Sequence, residues 1–232
     1  MNYFHNNLLG LGIYSVPEAA RLTHISTWRI RRWLSGYSFM SKGVQHSSPP
    51  VWKRDIPPID ESVALSFRDL SEIRAIDVFL RAGVSWKTVR RAEELGRELL
   101  STSHPFSTNR IRTDGQKRFA QIYENDREPA LFNLVSSQRV FLSFISPFLK
   151  SIAFSEDGVP LQWWPYKESR DIVIDPKRSF GQPIVCTEGV PTRILSSAFN
   201  TMHSIDKVAN WYGVNSVTVE VAVAYEKTLK AA

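Results

Sequence analysis

Between Ala19 and Arg54 the chain has no aspartate or glutamate at all, against seven basic residues: Arg21, Arg29, Arg31, Arg32, Lys42, Lys53 and Arg54. A solvated protein surface normally mixes both signs. Cysteine is nearly missing too: a single Cys186 excludes an internal disulfide, and its setting in the apolar run PIVC predicts a buried, inert thiol. No apolar run approaches the ~20 residues of a membrane span, and MNYFHNNLLGLG lacks the charged and apolar regions of a signal peptide, so the expected setting is cytoplasmic. Gly10-Leu11-Gly12 has no third glycine and is not a dinucleotide fingerprint. There is no P-loop, G-x-S-x-G or HExxH. His5, His24, His46, His104 and His203 lie far apart without zinc-ligand spacing. These absences predict a chain with no catalytic residues, no metal and no cofactor.

What is present is enough for substantial cores: 232 residues, 43% of them apolar and 12% aromatic. Residues 1 to 127 hold 19 Lys and Arg against 13 Asp and Glu, whereas residues 128 to 232 hold 10 of each, so the net +6 lies in the first half. With a sequence pI near 9.5, that half is the expected contact with nucleic acid. The neutral half needs another role.

The stretch SVPEAARLTHISTWRIRRWLSGY, Ser15 to Tyr37, has two helix starts eleven residues apart. Ser15 and Glu18 form an S-x-x-E capping box, Pro17 falls in the first turn, and Val16, Ala19, Ala20 and Leu22 supply an apolar side. Ser26 caps the second helix, where Ile30, Trp33 and Leu34 stand at i, i+3 and i+4 and leave Thr27, Trp28, Arg31 and Arg32 to face outward. Cap, spacing and missing acids agree on a helix-turn-helix that meets DNA. Next, SFMSKGVQHSSPPVWKRDIPP is too rich in Ser, Gly and Pro for a long helix. It reads either as a hairpin wing, with Lys42, Lys53 and Arg54 over phosphates, or as a linker.

Further on, Leu70, Ile73, Asp77 and Leu80 share a helical face, Ala82-Gly83 ends that helix, and Ser85 caps another on which Val89, Ala92, Leu95 and Leu99 recur. Asp114-Gly115 predicts a hairpin. The apolar middle predicts a helix over Asn133 to Leu149 and a turn at Glu156 to Gly158 between strands ending at Trp163-Trp164. Short strands are expected at Ile172 to Ile174 and Ile184 to Thr187, then helices at Thr192 to Met202 and Ser204 to Tyr212. In the last segment Val217, Val219, Val221, Val223 and Tyr225 alternate with the period of a strand.

Residues 14 to 100 resemble the DNA-binding region of MerR-type regulators through YSVPEAARLTHISTWRIRRW, a wing, and FRDLSEIRAIDVFLRAGVSWKTVRRA. The resemblance implies that the second helix enters the major groove, with Thr27, Trp28 and Arg31 at the bases, and that the wing holds the backbone. The C-terminal stretch resembles a small antitoxin domain of VapB-like proteins, through Ile174-Asp175-Pro176, Phe180-Gly181-Gln182-Pro183, Gly189-Val190-Pro191-Thr192 and SIDKVANWYGV. It implies a helix, capped near Asn215 or Ser216, for the alternating segment, and helix is the expectation adopted.

Taken together, the expected fold is mainly α with small β hairpins (α+β): a MerR-like winged helix-turn-helix in residues 1–127, then a strand-plus-helix domain in 128–232 for dimerisation and toxin binding. The expected DNA contacts are Ser26, Thr27, Trp28, Arg29, Arg31, Arg32, Lys42, Lys53 and Arg54. Phe199, Trp211 and Tyr212 are expected to touch a protein partner. The joined resemblances imply a VapB-type antitoxin that represses its own promoter, neutralises a PIN-like ribonuclease toxin and acts as a homodimer, with a free-standing MerR-like regulator as the alternative.

Overall fold

Local hydrogen bonds set the first elements. Ser15 Oγ accepts from Glu18 N–H at 3.3 Å while Glu18 Oε2 accepts from Ser15 N–H at 2.9 Å, which starts α1 (Val16–Thr23). His24 in the left-handed region ends it, and Ser26 Oγ, accepting from Arg29 N–H, starts α2 (Thr27–Ser35). The computed structural model describes residues 8–110, 147–166 and 169–230. Its architecture is mixed α and β. β1 (Tyr14–Ser15) precedes α1, and β2 (Tyr37–Ser41) and β3 (Val44–Ser48) form an antiparallel hairpin after α2. Lys42 and Gly43 join the two strands with φ of 50° and 76°, the pair of positive φ values that suits a twisted two-residue loop. The hairpin outcome thus holds over the linker reading.

β4 (Ala64–Leu65) pairs antiparallel with β1 and leads into α3 (Phe67–Arg81), which begins at a second capping box, Ser66 with Asp69. Ser85 then caps α4 (Trp86–Leu100). The Asp114-Gly115 hairpin and most of the helix expected at Asn133 to Leu149 lie outside the described residues. Residues 147–150 are helical.

β5 (Ile152–Phe154), β6 (Pro160–Trp163), β7 (Ile172–Ile174) and β8 (Pro183–Val185) make an antiparallel sheet in chain order. α5 (Thr192–Met202), α6 (Ile205–Tyr212) and α7 (Ser216–Lys230) follow, with α5 and α6 on their expected ranges. In α7 the strand-like alternation is overridden. Its buried residues are Thr218, Val219, Ala222, Val223, Tyr225, Glu226 and Leu229, a helical stripe, and Val217 is left 60% exposed. Cys186 is half-buried rather than buried, because it lies just past the end of β8.

One continuous core runs from Tyr14 in β1 to Leu229 in α7. Polar ties cross it: Tyr14 Oη donates to the Gly181 carbonyl at 2.9 Å, and Arg21 Nη1 meets Glu226 Oε2 at 2.8 Å. Glu226 Oε1 also accepts from Thr192 Oγ1 at 2.7 Å. Gly181 has φ of 83°, and a Cβ there would overlap Tyr14 Oη. Gly181→Ala is therefore expected to lower stability by roughly 2–4 kcal/mol, from the left-handed backbone and overpacking together, as read by urea denaturation. No helix among the described residues is long and apolar enough to cross a membrane.

Candidate nucleic-acid interface

Burial of Ile30, Trp33 and Leu34 fixes the roll of α2. Trp28 is consequently 61% exposed, Ser26, Arg29 and Arg31 are exposed, and Thr27 and Arg32 are half-buried. Arg32 does not extend freely. Its guanidinium lies 3.4 Å from the Tyr37 ring centroid and 4.3 Å from that of Trp28, a cation held between two π faces. Arg29 reaches across to α3, where its Nη1 stands 3.2 Å from Asp77 Oδ1, and Arg81 Nε holds the other oxygen of Asp77 at 2.5 Å. Asp77, the one polar residue on the α3 face read from sequence, thus clamps α2 onto α3.

The hairpin β2–β3 stands beside α2. Gly36 allows the approach, since a Cβ there would overlap the Ser48 carbonyl oxygen. Arg90 of α4 donates to Ser48 Oγ at 2.6 Å and to the Pro49 carbonyl at 3.0 Å, which secures the base of the hairpin. Its strands are largely exposed, and Lys42 projects at the tip. Val51 and Trp52 then return to the core, leaving Lys53 exposed and Arg54 half-buried.

The acid-free stretch is partly neutralised from a distance. Of its seven basic residues, Arg21 is paired by Glu226 and Arg29 by Asp77, acids that lie far away in sequence. Arg31, Lys42 and Lys53 make no ion pair among the described residues. They are the exposed cations of the acid-free stretch without an ion-pair partner among the described residues.

In the C-terminal unit, Trp211 is 75% exposed and Tyr212 is also exposed, both at the C-terminus of α6, while Phe199 is half-buried and packs against the core. Val217, which the sequence reading names only as part of the alternating run, adds to the exposed apolar surface near the start of α7. Its signal was the mismatch between a period of two and a helix.

A buried polar network ties α3 to the segment after the hairpin and to the loop after α4. Asp69 Oδ1 accepts from Trp52 Nε1 at 2.7 Å and lies 2.9 Å from His104 Nε2, and Asp69 Oδ2 accepts from Ser66 N–H. Although burial alone would raise the Asp69 pKa, contact with His104 and these donors brings it below the ordinary carboxylate range. Asp55 approaches the opposite ring nitrogen, Nδ1, at 3.9 Å. Asp55, Asp69 and His104 are three metal-type donors, yet the two carboxylates address different nitrogens of one ring. The imidazole is hydrogen-bonded to Asp69 through Nε2 and to Ser103 Oγ through Nδ1, each at 2.9 Å, with Asp55 further off. Close by, Glu72 accepts from Phe106 N–H at 3.0 Å and Ser107 N–H at 2.6 Å, which binds the 104–108 loop to α3. Burial pushes Glu72 up to about 7 and Glu93 of α4 up to about 8.

These elements define a mixed α and β protein with a capped basic helix pair and hairpin near its N-terminus and a three-helix unit near its C-terminus that carries exposed aromatic residues. No family model matches the chain. It is similar, at 23% identity over 212 residues, to the protein named "Putative antitoxin VapB45" of Mycobacterium tuberculosis strain H37Rv, spanning 87% of this chain and 88% of that one. The crystal structure of Rv2018 from Mycobacterium tuberculosis shares the fold, with a TM-score of 0.68 at 21% identity over 90% of this chain and 96% of that chain.

Proposed function

We propose that this chain is a non-enzymatic, cytoplasmic antitoxin that binds DNA at its own promoter through a MerR-like winged helix-turn-helix and neutralises a PIN-like ribonuclease toxin through residues 128–232. The observation that carries the DNA part is the exposed face of α2. Trp28 and Arg31 point outward from a helix whose inner side is fully packed, within a stretch without acids. Support for the antitoxin part comes from the similarity to a protein of that name across most of both chains. In this reading α2 enters the major groove, Lys42 and Lys53 meet phosphates, and Arg32 is pre-oriented by Tyr37 and Trp28. Arg29 serves chiefly to hold α2 at its angle through Asp77. A homodimer follows from the need to read two half-sites about 34 Å apart. Trp211, Tyr212 and Phe199 supply the contact with the toxin.

The test is a salt titration of promoter binding. Lys42→Ala combined with Lys53→Ala is expected to weaken binding and to lower the slope of log K against log salt by roughly 1.8, about 0.9 for each lost phosphate contact, and Arg31→Ala is expected to weaken binding to the promoter sequence. An unchanged slope would remove the hairpin from the interface, and unchanged binding by Arg31→Ala would remove α2. Co-expression with the product of the adjacent gene tests the other half. A stable complex that Trp211→Ala weakens is expected, and its absence leaves a regulator without a toxin partner.

A further inference from the structure

Between β7 and β8 the backbone turns against its own chirality. Ser179, Phe180 and Gly181 stand in succession at φ of 46°, 54° and 83°, and of the three only glycine adopts that region without cost. For a side chain as bulky as phenylalanine this is an outlier that persists only where the surroundings dictate it. Here they do. Ile13 N–H donates to the Phe180 carbonyl at 3.1 Å, Tyr14 Oη to the Gly181 carbonyl at 2.9 Å, and Gly181 N–H to the Arg178 carbonyl at 2.9 Å. Asp175 holds the start of the loop, accepting from Lys177 N–H at 2.9 Å and from Gln162 Nε2 at 2.8 Å. Yet the side chain at the centre of this fixed turn is left largely in solvent, for Phe180 is 64% exposed. Flanking it in the chain are Lys177, exposed, and Arg178, half-buried, neither of them in an ion pair among the described residues. Leu9, 82% exposed, adjoins Gly10, where a Cβ would lie 3.6 Å from Lys177 Cγ. The loop thus presents apolar side chains and unpaired cations on a backbone that is fixed in advance.

We propose that Phe180 anchors a protein partner whose surface offers an apolar pocket rimmed by carboxylates. The proposal rests on the antitoxin reading above, in which that partner is the toxin. Charge argues against a second copy of this chain: in a symmetric contact the patch meets itself, which brings Lys177 and Arg178 of both copies together. An acidic rim answers them instead. An aromatic side chain on a backbone already ordered binds with little further loss of freedom, and the strained turn supplies that order.

Binding of the full-length protein to the purified product of the adjacent gene decides the matter. Phe180→Ala and Phe180→Gly are both expected to weaken the complex at least about 30-fold, the loss typical of an interface anchor. Lys177→Glu is expected to slow association about 5-fold at low salt. Unfolding midpoints without the partner separate backbone from ring: Phe180→Gly is expected to melt above Phe180→Ala, because glycine alone relieves the turn. A complex that tolerates either Phe180 variant would overturn the anchor and leave the antitoxin reading standing, whereas no complex with the unaltered protein would overturn both. Association unchanged by Lys177→Glu would overturn the carboxylate rim. Phe180→Gly melting at or below Phe180→Ala would mean that the turn holds no strain, and the proposal would fall with it.

Discussion

Asp69→Ala is expected to remove roughly 3–5 kcal/mol of folding stability, since each buried donor left without its acceptor costs about 1–3 kcal/mol. Asp69 is fully buried, and its two oxygens serve Trp52 Nε1, His104 Nε2 and the Ser66 N–H. Alanine leaves all three without their acceptor. It also breaks the capping box that starts α3, so the damage extends from a side-chain network into a helix terminus. Because His104 holds the loop after α4 and Trp52 anchors the chain after the hairpin, one substitution loosens three segments. Urea denaturation should show a midpoint shift with little change in slope. A loss below about 1 kcal/mol would mean that these groups find water instead, contrary to their burial.

The second large effect is on pH. Glu72 and Glu93 have folded pKa values near 7 and 8, against an ordinary 4.5. Between pH 4.5 and those values the unfolded chain has released protons that the folded chain retains, so stability falls as pH rises. The opposite holds for Asp69, whose pKa is lowered: its contribution is present above the ordinary value and lost in acid. Stability should therefore peak near pH 5 and decline by roughly 3 kcal/mol or more by pH 8, at 1.36 kcal/mol per pKa unit. Glu93 isolates the cause. Its oxygens accept no hydrogen bond, and its nearest cation is Arg97 at 3.1 Å; Glu72, Glu94 and Arg90 are the other charges acting on it. Glu93→Gln is expected to flatten the decline and to be more stable than the parent above pH 8. Unfolding midpoints at pH 5, 6.5 and 8.5 check this, and a parallel decline in both proteins would rule Glu93 out as its source.

The elements that could be read from the chain share one property: their determinants lie within a few residues of each other. The Ser15–Glu18 box and the Ser26 and Ser85 caps each act over one helical turn, and each stands where the spacing predicts. The hairpin at Tyr37 to Ser48 was harder, because Lys42-Gly43 lacks an asparagine or aspartate to mark the turn. α7 was misleading. Valines at every second position mimic a strand, and only burial against the rest of the C-terminal unit shows that Val217 faces out while Val219 and Val223 face in.

Composition alone located the positive end of the molecule, since charge counts need no geometry. It did not say which cations are free. Arg21 meets Glu226 across 205 residues and Arg29 meets Asp77 across 48, and no local pattern announces either pair. Asp55, Asp69 and His104 likewise converge from separate segments, and the Arg74 guanidinium of α3 lies 3.6 Å from the Trp163 ring centroid of β6, far along the chain. Helix ends and turns were settled by neighbours along the chain, because hydrogen bonds to the first and last backbone groups are short-range. The ion pairs and the buried network were decided by the packed structure, because burial sets which charges must be matched and which remain to meet a partner.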